Sequence, residues 1–269
     1  PDSFSYASVL SAYTAAGNMP EAERWLAQMI RAGDVDVAAF NCLIDGYAKL
    51  GEASKAEAKF EQIRAQSLKP NHISYNAVIH ALAQVGSMDR AQMWLSRMER
   101  SGQWPDVFTH TAILRCFAKR GDLQGAEEWM VRMRQNGVEP NLVSYSEVIS
   151  ACLRKHDAGR VQRLLGDMRK HNLEPNLVIF NAVMNSHAVF RNYLAAEEVL
   201  REMLGAKILP DSVSYGTVVK AAARAGDLLR TEAWVKRRKA AGQELDEKTF
   251  HALLVACVQT GDIAAAQET

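Results

Sequence analysis

The chain has 269 residues, 48% hydrophobic and 23% charged, with 32 Lys and Arg against 31 Asp and Glu. It contains no apolar run near the ~18 residues of a membrane-spanning helix, and a formal charge of +1 excludes a whole-molecule field that gathers polyanions, so any nucleic-acid affinity must come from locally placed charge. Cys42, Cys116, Cys152 and Cys257 are scattered without a Cys-x-x-Cys pair and read as inert buried thiols, with neither a metal nor a disulfide role.

From the first residues onward the chain repeats. Pro70, Pro105, Pro140, Pro175 and Pro210 stand 35 residues apart, each followed by Asn or Asp: Asn71, Asp106, Asn141, Asn176 and Asp211. Asp2, Asp36 and Asp246 occupy the same slot without the proline. A period of that length marks a stacked array, expected here as one domain over 1–269 with units 3–36, 37–71, 72–106, 107–141, 142–176, 177–211, 212–246 and a partial 247–269. The chain opens at a seam between units and stops within an expected second helix, so it reads as an internal piece of a longer array.

Each unit carries two predicted helices. In the first unit, Gly17 closes one helix and Asn18 opens the next, with Pro20 in the first turn and Glu21 at capping-box spacing. Further along, the first helix of a unit shows an aromatic followed by apolar residues three, four and seven positions later. Examples are Tyr75, Val78, Ile79 and Leu82, then Tyr145, Val148, Ile149 and Cys152, one face of a 3.6-residue helix. Gly51, Gly86, Gly121, Gly226 and Gly261 end it, and Ser87, Asp122, Asp227 and Asp262 cap the second helix. That helix repeats Ala, then Trp or an aliphatic, then Met, as in Ala91, Trp94, Leu95, Met98 and Ala126, Trp129, Met130, Met133. Gly33, Gly102, Gly137, Asn172 and Gly242 stop it. No unit buries its apolar faces alone, so neighbours must stack. The expected fold is all-α, a right-handed superhelical solenoid of helix-turn-helix repeats whose first helices line a concave surface.

Late in the chain, Arg237, Arg238 and Lys239 form a basic cluster on a second helix, with Arg238 in the slot that Met holds elsewhere; it reads as solvated charge, or else as a docking surface for protein. The seven histidines fall in different columns of the repeat, without a deaminase His-x-Glu plus Cys-x-x-Cys pattern or a nuclease-like carboxylate cluster. No catalytic residue, metal, cofactor or small-molecule substrate is expected.

The openings Pro70-Asn71-His72-Ile73-Ser74-Tyr75-Asn76, Pro140-Asn141-Leu142-Val143-Ser144-Tyr145-Ser146 and Pro175-Asn176-Leu177-Val178-Ile179-Phe180-Asn181 resemble the start of pentatricopeptide repeats. The likeness covers nearly the whole chain, and the uniform period resembles the pure class of that family. It implies a single-stranded RNA binder reading about one base per repeat. In the family the base is chosen by the residue after the first-helix aromatic and by the last residue of the unit. The first column here is Ala7, Asn41, Asn76, Thr111, Ser146, Asn181, Gly216 and His251; the second is Asp36, Asn71, Asp106, Asn141, Asn176, Asp211 and Asp246. An N-cap role explains the second column equally well. It does not explain Asn, Thr and Ser inside a helix, where they are mediocre formers.

By the family's preferences, Asn41 with Asn71 resembles a pyrimidine reader, C ahead of U. Asn76 with Asp106, and Asn181 with Asp211, resemble U readers. Thr111 with Asn141, and Ser146 with Asn176, resemble A readers, and Gly216 with Asp246 a weak G reader. The implied core is 5′-(C/U)UAAU(G)-3′. The family also clamps bases between apolar side chains, here Phe4, Ile73, Phe108, Val143, Val178 and Val213, a column interrupted by Ala38 and Lys248; plain packing between units is the alternative. Lys49, Lys119, Arg154 and Arg224 form a candidate phosphate-contacting column, the alternative being solvated charge. The resemblance further implies a mitochondrion or plastid, and a role in RNA stability, processing or translation alongside ribosomal or RNA-processing proteins. The competing class is a structural component of an organellar ribosome or other complex, holding rRNA or a protein partner.

Overall fold

A computed structural model describes residues 3–189 and 192–261, with side chains from Tyr6 onward. Among the described residues there are fifteen α-helices and no strand. In chain order the hairpins are α1 (Ser3–Ala15) with α2 (Met19–Ala32), α3 (Val37–Lys49) with α4 (Ala53–Ala65), and α5 (His72–Gln84) with α6 (Met88–Arg100). They continue with α7 (Val107–Arg120) and α8 (Leu123–Gln135), α9 (Leu142–Arg154) and α10 (Ala158–Lys170), and α11 (Leu177–Val189) and α12 (Tyr193–Gly205). The last are α13 (Ser212–Arg224) with α14 (Leu228–Ala240), and then α15 (Glu247–Thr260). None is long and apolar enough to cross a membrane.

The chain divides into two compact units, residues 1–151 and 152–269. In the first, α1, α3, α5 and α7 pack side by side in sequence, and α2, α4 and α6 each fill the angle between their own first helix and the next one. In the second, α11, α13 and α15 pack side by side, with α12 and α14 placed likewise. Inter-repeat burial follows the periodic apolar faces: Phe40, Tyr75 and Tyr145 of the first helices and Met29, Met98, Met133, Met168 and Met203 of the second helices are all buried.

Helix starts and stops have local causes. All seven unit-ending residues cap the following first helix: the side chains of Asp36, Asn71, Asp106, Asn141, Asn176, Asp211 and Asp246 accept the N–H three residues on, at 2.8–3.1 Å. Full capping boxes form with Ser74, Thr109 and Ser214. Of the predicted second-helix caps, Asn18, Asp122 and Asp227 bond as expected, but Ser87 makes no side-chain cap. Glu21 turns to Arg24 at 2.6 Å and does not close a box with Asn18. Asp262 lies outside the described residues. Gly121 ends α7 at φ 69°, passing its N–H to the carbonyls of Phe117 and Ala118. Asn172 takes the same left-handed conformation as predicted, whereas Ser67 and Lys207 do so without a Gly or Asn signal.

Candidate nucleic-acid interface

From Asn41 onward, the residue after the first-helix aromatic position and the cap that ends its unit are 30 positions apart, and three such pairs meet. Asn41 Nδ2 donates to Asn71 Oδ1 at 3.3 Å, Asn76 Nδ2 to both carboxylate oxygens of Asp106 at 3.3 Å, and Asn181 Nδ2 to Asp211 Oδ1 at 3.2 Å. In two of the three the other end of the amide is held as well, whereas Asn41 Oδ1 is buried without a partner among the described residues. Ser214 Oγ donates to Asn181 Oδ1 at 2.7 Å, and the Thr109 hydroxyl does the same for Asn76. Around Asn76 and Asn181, cap carboxylate, third-residue hydroxyl and Asn amide therefore form one network.

The remaining pairs differ. Thr111 is buried and its Oγ1 lies 2.8 Å from Ser144 Oγ, so its hydroxyl engages the third helical residue and makes no bond to Asn141. Ser146 turns back to the carbonyl of Leu142 at 2.7 Å; its expected partner Asn176 belongs to the second compact unit. Gly216 is buried.

Burial works against ionisation of Asp106, but the N–H and hydroxyl of Thr109, His72 and the Asn76 amide outweigh it and hold the carboxyl below the usual range. Asp211 is lowered likewise, burial opposing and Ser214 and Asn181 prevailing.

The first unit contains a groove of about 410 Å³ whose lining includes Asn41, Ile73, Asn76, Phe108, Thr111 and Asn141. Asp45, His80 and Arg115 lie in the same groove, each four residues past a candidate base-reading residue on the same helix face. Arg115 donates from Nε and Nη2 to Glu147 at 2.8 and 2.7 Å, and its Nη1 meets His80 Nε2 at 2.8 Å. Burial, with the Arg115 guanidinium, pushes the His80 imidazole below its ordinary value. In the sequence, only the i+4 spacing from the candidate base-reading column marks these three positions.

The clamp column is open to solvent: Ile73 is 61% exposed, Phe108 73%, Val143 52%, Val178 67% and Val213 59%. The side chain of Phe4 lies outside the described set. Among the cations, Lys49 pairs with Asp45 at 2.7 Å and Lys119 donates to the Gln84 carbonyl, while Arg154 and Arg224 are exposed. Arg224 shares a second groove of about 450 Å³ with Lys220, Lys248 and His251.

Two expectations need correction. Arg238 is neither solvated nor available for docking: it is 1% exposed, because its slot faces the core. Cys42 is half-buried, unlike Cys116, Cys152 and Cys257, since it follows the groove-lining Asn41. Among the described residues no group of three or more His, Cys, Asp and Glu side chains is placed to hold a metal.

The sequence matches the pentatricopeptide repeat domain over residues 94–155, 140–190 and 163–225, the PPR repeat family over 35–84, and the PPR repeat over 4–34 and 73–103. The chain belongs to the pentatricopeptide repeat family. No curated protein sequence matches it. Among solved structures it is similar to the pentatricopeptide repeat protein PPR10 in complex with an 18-nt psaJ RNA element, with 18% identity, TM-score 0.50, and coverage of 100% of this chain and 49% of that one. It is also similar to nuclear proteinaceous RNase P 2 from A. thaliana, with 18% identity, TM-score 0.50, and coverage of 59% of this chain and 36% of that one. The chain thus spans about half the length of PPR10, and at this identity the likeness is one of fold.

Proposed function

We propose that the chain binds single-stranded RNA and reads about one base per repeat, with a core of 5′-(C/U)UAAU(G)-3′. One observation carries the reading: in the groove of the first unit, Asn41 and Asn76, hydrogen-bonded to Asn71 and Asp106, lie beside the exposed apolar side chains Ile73, Phe108 and Val143. Short amides and carboxylates meet a base edge, and solvent-exposed apolar surface is covered when a flat base stacks on it. Such stacking is worth roughly 1–3 kcal/mol per base.

The RNA bound to PPR10 supports the ligand class. Family membership alone supports an organellar setting, in a mitochondrion or plastid, and work in RNA stability, processing or translation. The proposal assigns no catalytic step to these residues. Selection from a random RNA pool with this chain tests ligand, base order and polarity together. Enrichment of CUAAUG-like sequences is expected; an unenriched pool would refute base reading and return the groove to the structural class.

A further inference from the structure

In the pairs built on Asn76 and Asn181, the amide contacts two groups, the cap carboxylate and the hydroxyl three residues on: Asp106 with Thr109, and Asp211 with Ser214. The seventh pair, Gly216 and Asp246, has no side chain with which to do this. The same two groups are nevertheless engaged. Arg238 Nη1 lies 3.3 Å from Asp246 Oδ1 and also donates to the Thr249 hydroxyl, and its Nη2 donates to Ser212 Oγ at 2.6 Å. An ideal Cβ at Gly216 would sit 3.8 Å from Arg238 Nη1, so guanidinium and glycine are neighbours.

The substitution of Met by Arg explains how this arises. Met98, Met133, Met168 and Met203 occupy the Arg238 slot in the preceding units, and Met203 already touches the third-residue hydroxyl of the next unit, with Ser214 Oγ 3.9 Å from its sulfur. A longer, cationic side chain in that slot passes this hydroxyl and arrives at the cap carboxylate. Arg238 is almost fully enclosed, and its Nε has no partner. A buried charge without a purpose is costly.

We propose, on the basis of the RNA-reading function above, that Arg238 is the positioning residue of the seventh pair, taking the place of the missing Asn amide and holding Asp246 toward a guanine that occupies the space left bare by Gly216. The fit is one of size and charge. All the bonds made by Asp246 fall on Oδ1, from Thr249 and from Arg238, so Oδ2 is without a partner among the described residues, on a side chain 49% exposed. Guanine offers adjacent N1–H and N2–H donors to such an acceptor, whereas adenine presents the N1 lone pair, which the carboxylate repels. In the Asn-containing pairs an amide stands beside the cap carboxylate; here, apart from its own helix, a Cβ at Gly216 would meet nothing nearer than the Arg238 guanidinium.

The test uses fluorescein-labelled RNAs of sequence CUAAUN, with N as each of the four bases, and a second set varied at the U read by Asn181 and Asp211. Arg238→Met restores the residue of the neighbouring units, so the fold is expected to persist. That is checked by helical circular dichroism and by unchanged U preference in the second set. The wild-type chain should favour G at N by about tenfold, and Arg238→Met should bring the four bases within about twofold while sparing the preceding position. In the double variant Gly216→Asn with Arg238→Met, an Asn–Asp pair is rebuilt and the preference should move to U. Retention of G selectivity by Arg238→Met, or by the double variant, overturns the role of Arg238. Absence of base preference in both sets for the wild-type chain overturns the underlying reading as well.

Discussion

Asn181 and Thr111 occupy the same column yet bond differently, and the difference is chemical. An amide reaches both the cap carboxylate and the third-residue hydroxyl, whereas the shorter Thr111 reaches only Ser144. The exchange Thr111→Asn with Asn141→Asp should rebuild at this position the network seen around Asn181, Asp211 and Ser214. The preferred base there is expected to change from A to U by about tenfold, with other positions unaffected. Competition binding with single-base RNA variants measures this, and a change at every position, or at none, would show that the column does not choose bases.

Two features belong to the helices. The caps of α7, α13 and α15 are carboxylates held below the ordinary range, Asp106 and Asp211 against opposing burial, and Asp246 chiefly by the Thr249 hydroxyl. A depressed folded value means that the stabilisation is complete above the ordinary aspartate range and is lost as pH falls through the lowered value. The thermal midpoint should therefore drop on acidification below about pH 4. Changing all three to Asn should flatten that drop in melts followed by circular dichroism. The second feature ties outer helices together. Glu197 of α12, 1% exposed, accepts the indole N–H of Trp234 at 2.7 Å and pairs with Arg230 of α14 at 3.1 Å. Glu57 of α4 does the same for Trp94 and Arg90 of α6. Glu197→Ala leaves a buried indole donor unsatisfied, for an expected loss of about 1–3 kcal/mol in denaturant unfolding.

For the molecule as a whole, a net charge of +1 means that any attraction to RNA would depend on the grooves themselves. Lys220, Arg224 and Lys248 share one of them, whereas Lys49 and Lys119 have partners within the protein. Each single-strand phosphate contact contributes about −0.7 to the slope of log K against log salt. A slope of roughly −2 to −3 is expected, and Arg224→Gln should reduce its magnitude by about 0.7. An affinity independent of salt would remove the phosphate role from this column.

By itself the sequence determined the helical hairpins, their period, the first-helix caps and both candidate columns, because these depend on spacing along the chain and on the local chemistry of Pro, Gly, Asn and Asp. The tertiary structure alone decided what each side chain meets across a repeat boundary. Ser144 takes the Thr111 hydroxyl, Glu147 and His80 hold Arg115, and Arg238, which the sequence presents as one member of a basic cluster, is enclosed beside Gly216. A one-dimensional pattern states which face a residue occupies, but the length of a side chain and the partner within its reach are settled only when the next hairpin packs against it.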